Sequence, residues 1–362
     1  MPIVGFDAQA TQGRQSGLGV YTRHLLAAIK HKIKAPMALA PFFDPMAPGQ
    51  DLKTLDRLRW ENRTLPKLVK RHRVDLLHVP AFSPAFLKPC PLVVTVHDLA
   101  GLRFSNQMGI ASYFYWRYWL PYTIRQADKL IAISEHTKKD LVSCLGIRER
   151  KISVVYSSGH EGFTDQISRE TIAGLMQQLK IRDKYFISVG TLEPRKNLSR
   201  IVAAFLLFSK THPGYQLVMV GSSAFAHGKY AQRLSREHAD GSDRIVVTGF
   251  LDHEQLNALY CGAQGLLFPS LYEGFGIPIL EAMASGCPVL TSNITSMPEV
   301  AGDAGLLVSP VDVLQIAQGM TRLAEDTPLW QDLRLRGKEQ IKKFSWDRTA
   351  EGTLNVYESL IK

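Results

Sequence analysis

The residues best equipped for chemistry are two glutamates, Glu273 and Glu281. Seven residues separate them in the segment Phe268-Pro269-Ser270-Leu271-Tyr272-Glu273-Gly274-Phe275-Gly276-Ile277-Pro278-Ile279-Leu280-Glu281. The apolar run ending near Pro269 reads as a strand. Two glycines then allow close backbone approach, and Pro278 suits the first turn of a helix that Gly286 stops. Glu273 is expected in the loop beside that helix N-terminus, and Glu281 inside the helix near the same end. Amide donors at a helix start hold phosphate, and a nearby carboxylate accepts from sugar or ribose hydroxyls. A plain glycine turn with Glu281 facing water would explain a lone glutamate better than it explains this pair.

A second group is Ser188-Val189-Gly190-Thr191-Leu192-Glu193-Pro194-Arg195-Lys196-Asn197, which follows a strand and opens a helix. Adjacent cations Arg195 and Lys196 suit a diphosphate, because departure of a nucleoside diphosphate needs its developing negative charge stabilised. The bland alternative is an exposed basic turn. Third comes Val93-Val94-Thr95-Val96-His97-Asp98, a strand ending in His-Asp. A lone histidine is more often structural, but a strand terminus is where ligands gather in such sheets. Fourth is Gln12-Gly13-Arg14-Gln15-Ser16-Gly17-Leu18-Gly19-Val20-Tyr21. It is no dinucleotide fingerprint: Thr22 stands where the third glycine belongs, and Asp44 is only a weak candidate for the ribose-binding acid. A nicotinamide cofactor is disfavoured. The chain has no H-E-x-x-H or Walker sequence and no convincing Asp-x-Asp metal motif. Gly221-Ser222-Ser223 and Thr248-Gly249-Phe250-Leu251 end two further strands.

These groups need a scaffold, and hydrophobic periodicity supplies it. Short β-branched runs alternate with helical patterns, the signature of βαβ units and parallel sheets. Strands are expected near 3–8, 37–43, 74–79, 92–97, 129–134 and 152–157, with helices near 17–31, 52–72, 111–126 and 135–145. A second series has strands near 185–189, 216–220, 244–249, 264–268, 288–291 and 305–308. Its helices lie near 197–210, 227–239, 253–261 and 278–285, and 312–325, 328–343 and 346–361 complete a wholly helical end. The expectation is an α/β protein with two doubly wound, Rossmann-like domains facing a cleft. They span 1–160 and 161–345 and are joined by a linker over 157–162. A length of 362 residues suits two such cores.

Hydrophobic content of 45% and charged content of 21% are ordinary globular values, which argues against disorder. Four dispersed cysteines point to scattered burial in a reducing compartment rather than to disulfides or zinc. With no signal-peptide pattern at the start and no long apolar window, the expected location is cytoplasmic. Residues 1–150 carry 22 Lys+Arg against 11 Asp+Glu, so the whole excess of positive charge sits in the first half. Much of it falls in Lys53, Arg57, Arg59, Arg63, Lys67, Lys70, Arg71 and Arg73, an amphipathic pattern expected to break near Pro66. A solvated helix face is the plain explanation. Attraction to an anionic acceptor, or peripheral contact with an anionic membrane, is the sharper one. The run Tyr113-Phe114-Tyr115-Trp116-Arg117-Tyr118-Trp119 is expected to be mostly buried on the first sheet.

The segment "PSLYEGFGIPILEAMASGCPVL" resembles the signature of the retaining glycosyltransferases of family 4, whose two Rossmann-like domains form the GT-B fold. The likeness runs over nearly the whole chain, and its closest look is to bacterial mannosyltransferases. It implies that Glu273 binds donor-sugar hydroxyls, Glu281 the ribose, and the amides of Gly274, Phe275, Gly276 and Ile277 the sugar and diphosphate. Lys196 maps onto the family's essential lysine. Many members carry an arginine directly after the glycine, where this chain has Thr191 after Gly190, and Arg195 is expected to take that role. By the same resemblance His97 contacts the donor sugar near the anomeric centre, and Asp98 supports it or the acceptor. Gly17 and Gly19 approach the diphosphate and acceptor, while Gly190, Ser222, Phe250 and Leu251 frame the donor. The C-terminal helix crosses back to the first domain.

The implied reaction is transfer of a hexose, with retention, from a nucleotide sugar to a hydroxyl of a polysaccharide or lipid-linked glycan. GDP-mannose is the first choice of donor, and no metal or cofactor is implied. Alternatives are UDP-glucose, UDP-GlcNAc or dTDP-rhamnose in the same fold, or a nucleotide-sugar epimerase or hydrolase. A basic nucleic-acid-binding protein is the non-enzyme alternative; the paired glutamates count against it, so nucleic acid is not an expected partner.

Overall fold

The computed structural model describes residues 1–12, 17–45, 52, 54–81, 84–104, 110–191, 193–221, 244–361. The chain divides into two compact units, Met1–Ser158 with Phe344–Lys362, and Gly159–Lys343. The division falls within the stretch 157–162, where Ser157 and Ser158 are buried.

The first unit contains β1 (Ile3–Asp7), β2 (Ala38–Phe42), β3 (Leu76–Val79), β4 (Leu92–Val96), β5 (Lys129–Ala132) and β6 (Ile152–Val154). They form one sheet in the order β2-β1-β3-β4-β5-β6, with every neighbouring pair parallel. All residues of β3 and β4 are buried, as in a sheet covered on both faces. The expected alternation of strands and helices is therefore present in this half, with strand ends one to three residues shorter than periodicity suggested.

Two helices here depart from expectation in an instructive way. Helical structure runs without a break from Thr54 to Arg71, through a π-helical segment at Trp60–Thr64. The same sequence of turns recurs over Ile110–Arg125, with a π segment at Tyr115–Trp119. Each wide turn contains the residue four before a proline, Asn62 before Pro66 and Arg117 before Pro121. A proline ring clashes with that carbonyl in a regular helix. Widening the turn moves the carbonyl away, so Pro66 is accommodated where a break was expected.

The aromatic run in the second of these helices corrects another expectation. Tyr115 and Trp116 pack against the core, but Phe114 is 57% exposed and Tyr118 59% exposed. Burial takes one side of the helix only.

The final helix, Trp346–Glu358, belongs to the first unit. Tyr357 Oη lies 2.6 Å from His78 Nδ1, and His78 Nε2 lies 2.8 Å from Thr95 Oγ1. His24 stacks on Trp346, and Lys32 Nζ reaches Glu351 at 2.8 Å. Burial pushes the His78 pKa down to about 3, so its ring is neutral and serves the helix as a hydrogen-bonding post.

The second unit holds β7 (Tyr185–Val189), β8 (Gln216–Val220), β9 (Ile245–Gly249), β10 (Gly265–Phe268), β11 (Val289–Ser292) and β12 (Gly305–Val308). Their order is β12-β11-β10-β7-β8-β9, again all parallel. The chain winds outward from β7 in one direction and then, from β10, in the other. β7 and β10 are therefore the neighbours at which strand order reverses, and a sheet of this kind binds ligands beyond the carboxyl ends of those strands. The helix expected near 227–239 lies outside the described residues. No helix among the described residues is long and apolar enough to cross a membrane.

Candidate active site

Both motifs of the second unit leave the sheet at the reversal point. After β7 the chain passes Gly190, turns through Pro194–Lys196 as a short 3-10 helix, and starts the helix Leu198–Phe208. Asn197 between them adopts φ +64°, a left-handed conformation asparagine tolerates better than most residues. Its side-chain amide donates to the carbonyls of Pro269 (2.9 Å) and Pro310 (2.6 Å), tying the cationic turn to the end of β10. Leu271 N donates to Arg195 O at 2.8 Å, a second tie between the two loops. Gly190 and Gly221 lie so close that a Cβ on Gly221 would come within 1.9 Å of the Gly190 carbonyl oxygen. Only glycine allows that approach, and it sets the path of the first loop.

After β10 the chain runs Pro269 to Gly276, which caps the helix Ile277–Ala284 at φ +108°. Gly274, Phe275 and Gly276 are buried, and Ile277 opens the helix with Pro278 behind it. Ser296 Oγ shares its proton between the carbonyls of Glu273 (3.0 Å) and Phe275 (2.8 Å), which fixes the loop from outside.

These supports bring the two motifs into one cluster. Lys196 Nζ lies 2.6 Å from Glu273 Oε1, and Arg195 Nη1 lies 2.8 Å from Glu273 Oε2. Arg195 Nε also reaches Glu193 Oε2 at 2.8 Å. Lys196 Nζ sits over the Phe268 ring, 4.9 Å from its centroid. Glu273 is buried, which alone would raise its pKa. The charges of Lys196 and Arg195 outweigh that and hold it below the usual carboxylate value. Burial pulls the Lys196 pKa down, against the opposing field of Glu273. The pair of cations is thus clamped by one bidentate carboxylate rather than pointing freely outward. Two formal positive charges are matched by Glu193 and Glu273.

Glu281 sits one turn into the helix and is partly buried. Tyr260 Oη donates to its Oε2 at 3.1 Å. Burial pushes the Glu281 pKa up to about 7, while Tyr260 and the charge of Lys196 pull the other way. The carboxyl therefore changes charge near neutrality and lies within the electrostatic reach of the cationic turn. Farther along the sheet edge, Phe250 is 78% exposed and Leu251 is buried at the end of β9. Ser222 lies outside the described residues.

The first unit carries its own candidates. His97 follows β4 and its Nε2 lies 2.7 Å from the Pro80 carbonyl, which can only accept. Nε2 therefore holds the proton, leaving Nδ1 with its lone pair. Burial, the largest influence, lowers the His97 pKa, so the ring is neutral at pH 7. Tyr21 packs edge-on to it at 4.5 Å. Asp98 Oδ1 accepts from Ala100 N at 2.8 Å, two residues on. Gly17 and Gly19 lie in the first turn of the helix Gly17–Lys32 that follows β1, Gly17 exposed and Gly19 buried.

Sequence reasoning missed three supporting residues. Asn197 adjoins the recognised cations, and its place before a helix was the available signal. Tyr260 and Ser296 lie 21 and 23 residues from the groups they hold, and nothing local marks them.

Comparison with known proteins converges on the same segments. The model of Glycosyl transferases group 1 matches residues 175–343, and that of Glycosyltransferase Family 4 matches residues 20–158. O-antigen chain mannosyltransferase B of Escherichia coli is 30% identical over 282 residues, covering 77% of this chain and 74% of that protein. The serotype-specific mannosyltransferase WbdA of Escherichia coli is 31% identical over 239 residues, which cover 66% of this chain but 29% of that longer protein. Among solved structures, sucrose-phosphate synthase from Thermosynechococcus elongatus superposes with a TM-score of 0.76 over 99% of both chains at 20% identity, which establishes the fold. With two doubly wound units in the GT-B manner and both family models matched in order, this chain belongs to the family 4, group 1 glycosyltransferases.

Proposed function

We propose that the protein transfers mannose from GDP-mannose, with retention, to a hydroxyl of a polysaccharide or lipid-linked glycan. The observation that carries the donor site is the convergence of Lys196, Arg195 and Glu273 within hydrogen-bonding distance at the reversal point of the second sheet. Lys196 and Arg195 stabilise the diphosphate as the bond from sugar C1 to its oxygen breaks. Glu273 accepts from sugar hydroxyls, and Glu281 accepts from the ribose. The amides of Gly274 to Ile277, with Gly190, Phe250 and Leu251, line the donor. Gly17, Gly19, His97 and Asp98, all in the first unit, keep the roles that the family resemblance implies for them. Neutral His97 offers Nδ1 as an acceptor for a sugar hydroxyl. Mannose is chosen because two relatives near 30% identity are named mannosyltransferases. The residues assigned these roles need no metal or cofactor. The site is reached from a cytoplasmic setting, where nucleotide sugars are made.

A panel of nucleotide sugars read by thermal shift tests the reading. GDP-mannose is expected to raise the Tm of the wild type more than UDP-glucose, UDP-GlcNAc or dTDP-rhamnose, since a ligand bound only by the folded state stabilises it in proportion to RT ln(1 + [L]/Kd). Preference for another donor overturns mannose but keeps the site. No shift with any of them overturns the donor site.

The titration of Glu281 gives a pH signature. Its pKa is raised to about 7, so the carboxyl is neutral below that pH and charged above it. A ribose hydroxyl bonds more strongly to the charged form. Donor Kd is therefore expected to be flat above about pH 8 and to rise below about pH 7, by up to about tenfold per unit where one proton must leave. Tyr260→Phe removes a bond that favours the charged form and should move the break to higher pH, while Glu281→Gln should abolish it. A Kd that is level from pH 6 to 8.5 in the wild type contradicts the ribose assignment.

A further inference from the structure

The first unit leaves an apolar surface that the donor chemistry does not use. A groove of about 1070 Å³ runs between the helices Thr54–Arg71 and Ile110–Arg125. Phe86, Phe114, Tyr118, Trp119 and Tyr122 form its walls. Phe86 stacks on Tyr122 at 4.6 Å and Phe114 on Tyr118 at 5.7 Å, so the rings are ordered against one another while their outer faces stay open. Contiguous exposed apolar surface of this kind marks a binding site more often than an accident of packing. The volume is at the upper end of ordinary ligand pockets, about 300–1,000 Å³.

The chemistry of the walls decides what fits. Asn62 is spent within the unit: its amide nitrogen donates to Leu58 O and its oxygen accepts from Phe86 N. Arg59 pairs with Asp44 and Asp56. Arg63 and Trp119 Nε1 keep donor capacity, yet most of the lining is aromatic ring, and rings with open faces suit hydrocarbon.

A second depression, about 510 Å³, adjoins the groove, with Tyr118 lining both. Arg103, Arg117 and Arg125 surround it. Arg103 is held by Asp140 at 2.6 Å and Arg125 by the Leu145 carbonyl at 3.2 Å. Arg117 has no hydrogen bond or ion pair among the described residues. Three guanidinium groups against one carboxylate leave net positive charge, which fits phosphate.

We propose that this face binds a single phosphorylated amphiphile, with its hydrocarbon chain in the aromatic groove and its phosphate among Arg103, Arg117 and Arg125. That such a lipid carries the acceptor hydroxyl rests on the glycosyl-transfer reading; its binding does not.

Calorimetric titration of the full chain with dodecyl phosphate below its micelle concentration tests this. Dodecyl phosphate should bind at least tenfold more tightly than dodecyl maltoside, which lacks the charge, or pyrophosphate, which lacks the chain. Arg117→Gln should remove the preference for phosphate. Tyr118→Ser should weaken both amphiphiles about tenfold. Both side chains are exposed, and an unchanged Tm confirms that the variants fold. Equal affinity for the three probes, or wild-type affinity in both variants, overturns the proposal. So does binding to phosphatidylglycerol vesicles without binding of monomeric dodecyl phosphate, which would make a bilayer the occupant. Self-association abolished by Tyr118→Ser would make the occupant a second copy and also overturn it. Nucleotide-sugar thermal shifts on the same wild-type sample report on the donor site separately, so failure of one reading is distinguishable from failure of the other.

Discussion

Replacing Lys196 by alanine is expected to lower kcat by about 10²–10³-fold, the usual loss when one donor to a developing anion is removed. The ammonium is nearly buried and sits 2.6 Å from Glu273, so its position is fixed before any substrate arrives. A preorganised charge in a water-poor site acts on the leaving diphosphate without reorganising. Arg195→Ala should cost less, because the Arg195 guanidinium also serves Glu193. Loss of Lys196 also deprives a buried carboxylate of one partner. Breaking a buried pair outright costs about 3–5 kcal/mol, and Arg195 remains to offset part of that. The variant should therefore fold with a lowered Tm. The check is kcat at saturating donor, with Tm measured on the same sample. A kcat within threefold of wild type would remove Lys196 from the leaving-group role.

Glu273→Gln separates two functions that one carboxylate performs. It is the counter-charge for two cations, and it is the proposed acceptor for sugar hydroxyls. Without its charge, Lys196 and Arg195 are left adjacent and partly uncompensated. A nucleoside diphosphate should then bind several-fold more tightly, because the anion takes the place of the lost carboxylate. Transfer should fall by about 10–100-fold, since hydrogen bonds to a charged group contribute about 1.5–3 kcal/mol. The unliganded Tm should drop and recover on adding nucleoside diphosphate. These opposite movements of product affinity and turnover are the distinctive result. Equal loss of both would mean that Glu273 is only a brace for the loop.

At the end of β10 the candidate site was legible in sequence because the chemistry is local. Strand, glycine turn, Pro278 and the two glutamates follow each other within one βα unit. Local rules for turns and caps then fix where each side chain leaves the backbone. The cationic turn was legible for the same reason. What could not be read was that the two loops share one cluster with matched charges. Arg195 and Lys196 looked like free cations in sequence; in the structure, contacts across 77 and 78 positions clamp them to Glu273. The aromatic run over 113–119 failed differently. Periodicity gives a helix, yet which side of it meets the sheet depends on packing and on the π turn before Pro121.

The sequence by itself determined the alternation of strands and helices, the two sheets it builds, and the residue types at the strand ends. Those follow from the period of hydrophobic positions and from backbone preferences acting over a few residues. The tertiary structure alone decided the strand order that sets β7 beside β10, the hydrogen bonds of Asn197, Ser296 and Tyr260, and the ionisation of Glu281 near neutral pH. Each depends on which distant segments exclude water from one another, and no short-range pattern in a chain records that.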